Sequence, residues 1–146
     1  MKKLFYTLAL LVSFNSFGQD DIKQGLVINY YESGAVKNKV NYVDGKEQGE
    51  AIGYWDSGEI GYKGNYVDGE LEGEYIGYYK SGAVQQKRNY VDGNLQGEYI
   101  VYYESGAVEE KGNYLDNNVQ GEVIYYYESG GVKKIENYKD GVLIEE

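Results

Sequence analysis

The side chains here that could do chemistry are carboxylates, phenols and lysines; the sequence holds no histidine and no cysteine. Without them a Ser-His-Asp triad, a cysteine nucleophile and an ordinary zinc site are excluded. A pair of carboxylates can still hydrolyse a glycoside. The acids, however, recur by column. Asp44, Asp68, Asp92, Asp116 and Asp140 each precede a glycine or asparagine, while Glu50, Glu74, Glu98 and Glu122 each follow a glycine. A catalytic pair should break such a pattern locally, and none does. The same aspartates could meet calcium, but Asp92-Gly93-Asn94 lacks the dense ligand run of a calcium loop. The expectation is a non-enzymatic chain with no catalytic residues, no metal and no cofactor.

Aromatic side chains offer binding rather than catalysis. Tyr31, Trp55, Tyr79, Tyr103 and Tyr127 stand 24 residues apart. Such a column could stack against sugar rings or an apolar patch of a partner. It could equally pack within a sheet as cross-strand partners. These five are the candidate partner-binding residues, and Trp55, the sole tryptophan, is the best single anchor.

What positions them is a repeat. Asn-Tyr recurs at Asn41, Asn65, Asn89, Asn113 and Asn137, giving units at about 19–40, 41–64, 65–88, 89–112 and 113–136, with a partial unit at 137–146. The units carry Tyr-x-Ser-Gly, with Trp55 in place of the tyrosine in one, and from residue 41 on Tyr-x-Asp-Gly. The first places Gly34, Gly58, Gly82, Gly106 and Gly130 in turns. The second does so for Gly45, Gly69, Gly93 and Gly141, with Asn117 filling the gap. Asparagine is the non-glycine residue that best tolerates positive φ, so the column requires a left-handed backbone. Both forms fit a type I turn closed by a G1 bulge.

Between the turns run strand-like segments such as Glu98–Tyr103, with no room for a helix and no proline in the chain. Nineteen tyrosines and 21 glycines suit the same reading. The fold class is therefore all-β: an elongated, twisted antiparallel meander of tandem 24-residue hairpins, rising about 10 Å per repeat. If Tyr79 pairs with Ala83, Tyr78 meets Val84 and Ile76 meets Gln86. The stripe Ile28, Ile52, Ile76, Ile100 and Ile124, flanked by Tyr30, Tyr54, Tyr78, Tyr102 and Tyr126, is the expected buried side. The candidate column then lies opposite, with Lys39, Lys63, Lys87 and Lys111 nearby. A bulge near Gly97 could flip part of this assignment.

The unit Gly-Glu-x-Ile-x-Tyr-Tyr-x-Ser-Gly-x-Val followed by Asn-Tyr-x-Asp-Gly resembles the bacterial variant of the MORN repeat. The resemblance covers residues 19–146. It implies stacked β-hairpins that scaffold protein–protein contacts, with lipid contacts proposed for some members. It also implies an antitoxin-type alternative, in which the chain neutralises a partner toxin.

Residues 1–18 have the layout of a secretory signal peptide: Lys2 and Lys3, an apolar run from Leu4 to Phe14, then Ser16-Phe17-Gly18. The run is too short for a comfortable membrane span. Export to the periplasm or the medium is expected, which argues against a cytoplasmic antitoxin. Losing Lys2 and Lys3 takes the net charge from −10 to −12. So acidic a chain should be repelled by nucleic acid and by anionic lipid. The expected partner is another protein, or a glycan met through the aromatic column.

Overall fold

A computed structural model describes residues 22–144; the expected leader at 1–18 lies outside the described residues. Those residues form strands and turns only. The strands are β1 Gly25–Tyr30, β2 Val36–Val43, β3 Lys46–Glu47, β4 Gly49–Tyr54, β5 Ile60–Val67, β6 Glu70–Leu71, β7 Gly73–Tyr78 and β8 Val84–Val91. They continue with β9 Asn94–Leu95, β10 Gly97–Tyr102, β11 Val108–Leu115, β12 Asn118–Val119, β13 Gly121–Tyr126, β14 Val132–Lys139 and β15 Val142–Ile144. All join one open antiparallel sheet in meander order, the all-β architecture expected.

The Ser-Gly turns have the expected form. Gly82 N–H donates to Tyr79 O and Tyr79 N–H donates to Ala83 O, both at 2.9 Å. Gly82 has φ 88°, and the other four units repeat the arrangement. This is a three-residue hairpin loop closed by a glycine in the left-handed region.

The Asp-Gly turns do not. Val91 pairs directly with Asn94, leaving only Asp92 and Gly93 in the loop. Both have positive φ, 47° and 74°, and the other four aspartates lie between 49° and 51°. Two consecutive left-handed residues define a type I′ turn. Its twist matches that of the flanking strands, which a type I turn would splay. The two turns of each unit thus differ in kind, contrary to the expectation of one form.

The first four type I′ turns each lead into a two-residue strand that sequence patterning did not anticipate, and the fifth leads into the three-residue β15. β6 pairs with β5; after Glu72 the chain pivots at Gly73, φ 79°, into β7. β7 and β8 then share six residue pairs, whereas β5 and β7 share two. A bulge between Gly77 and Tyr78 shifts the register within the hairpin. Tyr78 faces Val84 as expected, but Ile76 faces Lys87, not Gln86.

The buried side is the other one. Val40, Ala51, Tyr99 and Val123 are at most 4% exposed, while the isoleucine stripe is half-buried. Ile28, Ile52, Ile76 and Ile100 face Lys39, Lys63, Lys87 and Lys111, so the lysines share the isoleucine face and not the aromatic column's. On the inner face, tyrosines lie flat over glycines. Tyr99 faces Gly112, where an added Cβ would stand 2.9 Å from Tyr99 Cε1 and 3.0 Å from Val123 Cγ2. Neighbouring rings then meet along the sheet. Tyr62 and Tyr75 stack at 5.7 Å, Tyr75 and Tyr90 meet edge-on at 6.1 Å, and Tyr99 and Tyr114 tilt at 4.7 Å. Glycines paired with aromatics let a single layer bury one face without a second sheet.

Candidate functional site

The aromatic column occupies the corner where each long strand enters its Ser-Gly turn. Its polar tips reach sideways into the next repeat. Tyr31, Tyr79 and Tyr103 hydroxyls donate to the carbonyls of Tyr54, Tyr102 and Tyr126 at 2.7, 2.7 and 2.8 Å. Trp55 Nε1–H donates to Tyr78 O at 3.3 Å. Each acceptor lies 23 residues on, so the column forms a ladder of cross-repeat hydrogen bonds. Tyr127 ends it, 53% exposed, with Lys133 Nζ 6.0 Å from its ring centroid. Desolvation is the first cause raising the phenol pKa values of Tyr79 and Tyr103; nearby glutamates add to it. The rings of Tyr31, Trp55, Tyr79 and Tyr103 remain half-exposed.

A second ladder runs beneath the Asp-Gly turns. The side chains of Gln48, Glu72, Gln96 and Gln120 accept from the backbone N–H of Asp68, Asp92, Asp116 and Asp140, at 2.9 to 3.0 Å. Gly69, Gly93 and Gly141 donate to carbonyls of Glu47, Leu71 and Val119. Asn117 does more than tolerate φ 68°. Its N–H reaches Leu95 O, its Oδ1 accepts from Leu95 N–H at 2.8 Å, and its Nδ2 donates to Asn94 Oδ1 at 2.6 Å. The recurring aspartates and glutamines are thereby tied to repeat stacking. Among the described residues, no group of three or more acids is placed to hold a metal ion.

The open face carries a column that sequence reading passed over. Val43, Val67, Val91 and Leu115 are 42% to 49% exposed. They sit one residue before the first four type I′ turns, paired with Lys46, Glu70, Asn94 and Asn118. Strand alternation from Tyr66 and Tyr90 puts Val67 and Val91 on the isoleucine side. Strict alternation through Asn-Tyr-Val was the signal that could have found them. Between the two apolar tracks lie Glu50, Glu74 and Glu98, facing Asn65, Asn89 and Asn113.

On the inner face, Tyr31, Trp55, Tyr62 and Tyr75 wall a cavity of about 250 Å³ that also reaches Asn38, Gln85 and Gln86. Two of the five candidate residues, Tyr31 and Trp55, thus meet in one concave feature; Tyr79, Tyr103 and Tyr127 do not line it.

Stacked hairpins with two turn columns and cross-repeat ladders define an open-sheet β-hairpin repeat protein. The model of the MORN repeat variant matches residues 23–44, 71–92, 95–116 and 119–140, more than half of the chain, which therefore belongs to that family. Comparison with curated proteins gave no match. Among solved structures, one similar chain comes from "Crystal structure of GtfA/B complex bound to UDP and GlcNAc", with 10% identity and a TM-score of 0.29. The likeness covers 82% of this chain and 25% of that one, so this chain spans a quarter of its length. At that TM-score it carries no functional argument.

Proposed function

We propose that this MORN-variant array is an exported scaffold that binds another protein along its open face. The reading rests on one observation: Val43, Val67, Val91 and Leu115 stay exposed at a constant 24-residue interval, although the fifth equivalent position, before the last turn, holds Lys139. A regular row of exposed apolar residues, parallel to the half-buried isoleucines, is a surface suited to a long apolar partner ridge. Lysines on one track and glutamates between the tracks set the register, as in Lys87–Glu74 at 3.9 Å. The fitting partner presents apolar side chains at about 10 Å intervals, matching the repeat rise. Export is inferred from the leader-like residues 1–18 and places the encounter outside the cytoplasm.

Replacing Val67 and Val91 together by threonine tests this, because threonine keeps the β-branched shape and loses the apolar methyl. A protein retained by the wild-type chain and lost from the variant at unchanged melting temperature supports the reading. Equal retention by both rejects it. Fractionation of cells expressing the full chain, with and without residues 2–18, tests export in parallel.

A further inference from the structure

We infer that the cavity walled by Tyr31, Trp55, Tyr62 and Tyr75 is a binding site for one neutral pyranose ring. The inference goes beyond the protein-binding reading and concerns the opposite face of the sheet. The cavity exists because one repeat departs from its neighbours. In the row Lys37, Gly61, Gln85, Glu109 and Lys133, only Gly61 has no side chain. A Cβ added there would rest in van der Waals contact with Trp55, 3.5 Å from its Nε1, so a longer side chain at this position would lie against the indole that glycine leaves uncovered. By contrast, Gly53 is filled: the Tyr62 ring lies where its Cβ would be. Tyr62 is thereby laid down as a wall, and Gly61 leaves the mouth clear.

The lining chooses the ligand. At about 250 Å³ the space falls just below the ~300 Å³ lower end of small-molecule sites, which suits one ring and not a buried chain of them. Aromatic walls offer apolar faces for C–H-bearing sugar faces, while the Asn38, Gln85 and Gln86 carboxamides offer donors and acceptors for hydroxyls. Asn38 Oδ1 already accepts from Asn29 Nδ2 at 2.7 Å, which leaves the Asn38 Nδ2 group and the Gln85 and Gln86 carboxamides to meet hydroxyls. No carboxylate lines the cavity, in a chain with 24 acids. A cationic ligand is disfavoured, because Lys37 itself lines the cavity with its Nζ 5.8 Å from the Tyr31 ring centroid, and Lys80 Nζ stands 5.7 Å from that of Trp55. The walls are also preorganised: Tyr31 and Trp55 have their polar tips fixed to the carbonyls of Tyr54 and Tyr78.

Trp55, as the sole tryptophan, reports occupancy through its own emission. The full chain is titrated with the methyl glycosides of glucose, galactose and N-acetylglucosamine, with sorbitol and choline as comparisons. A saturable emission change with at least one glycoside, absent with sorbitol and choline, is the expected result. Gly61→Gln, which copies the residue at the next repeat's equivalent position, should weaken that binding about tenfold or more while leaving the melting temperature unchanged. Should Gly61→Gln fail to fold, Gln86→Ala serves instead, with weaker binding expected. No saturable response to any glycoside, an equal response to sorbitol or choline, or undiminished binding by the variant overturns the inference. The Val67→Thr/Val91→Thr chain should keep the sugar response, so failure of one reading is distinguishable from failure of the other.

Discussion

Tyr79→Phe removes one oxygen atom from the cross-repeat ladder and nothing else. The lost contact is the 2.7 Å hydrogen bond to Tyr102 O. A hydrogen bond of this kind contributes about 0.5–1.5 kcal/mol net. Tyr79 is half-buried, so water can replace part of the bond to Tyr102 O, which places the loss at about 0.5–1 kcal/mol. For a chain of this length that corresponds to roughly 2–4 °C in melting temperature. The protein supplies its own control. Tyr127 stands in the same column, is 53% exposed, and its hydroxyl donates to none of the described residues. Tyr127→Phe should therefore change stability by no more than about 0.5 kcal/mol, as surface substitutions usually do, and by less than Tyr79→Phe. Urea titrations followed by far-UV circular dichroism and by Trp55 emission measure both variants. A Tyr103→Phe change should match Tyr79→Phe, and the double variant should show close to the summed loss. If Tyr79→Phe and Tyr127→Phe proved equally stable at equal denaturant sensitivity, the ladder would not hold repeats together.

Gly53→Ala should cost about 1–3 kcal/mol, because its Cβ overlaps the Tyr62 ring and one of them must move; chemical denaturation measures the loss, and a neutral outcome contradicts the packing described. Asn117→Ala should cost more than about 1 kcal/mol, since it combines a side chain that disfavours φ 68° with loss of both amide contacts to repeat four; Asn117→Gly, which keeps the φ and loses the contacts, should cost less. Alkaline pH should unfold the chain early. Desolvation pushes the Tyr66 phenol up to about 12 and raises those of Tyr75, Tyr99 and Tyr125 from 10.0. The folded state then holds protons that the unfolded state releases above pH 10, so stability is full below that pH and falls as pH rises toward 12. A phenolate absorbance titration should show a separate cooperative rise above pH 10 as Tyr66, Tyr75, Tyr99 and Tyr125 ionise on unfolding; a titration without that second step would contradict the inner-face packing.

The hairpin architecture was legible because glycine columns report backbone requirements directly. Gly82 and its equivalents need a left-handed corner wherever they stand. Faces and contacts were less legible. Treating Asp-Gly like Ser-Gly hid the type I′ turn, although a two-residue Asp-Gly loop between Val91 and Asn94 is itself a known hairpin signal. The bulge at Gly77 moved Ile76 from Gln86 to Lys87. A spacing of 24 says that Tyr79 and Tyr103 are equivalent, but not that one repeat hydrogen-bonds the next. That needs the distance between strands that alternation alone leaves open. The cavity was illegible for the opposite reason: it arises from Gly61, a single exception, which a search for columns passes over.

Six residue pairs join the two long strands inside each hairpin, against two between β5 and β7 and two more through β6. Backbone pairing is therefore uneven, dense within a hairpin and sparser at each seam, where the side-chain ladders supply the remaining links. Tension applied along the stack would open seams one at a time, lengthening the molecule in steps while individual hairpins stayed folded.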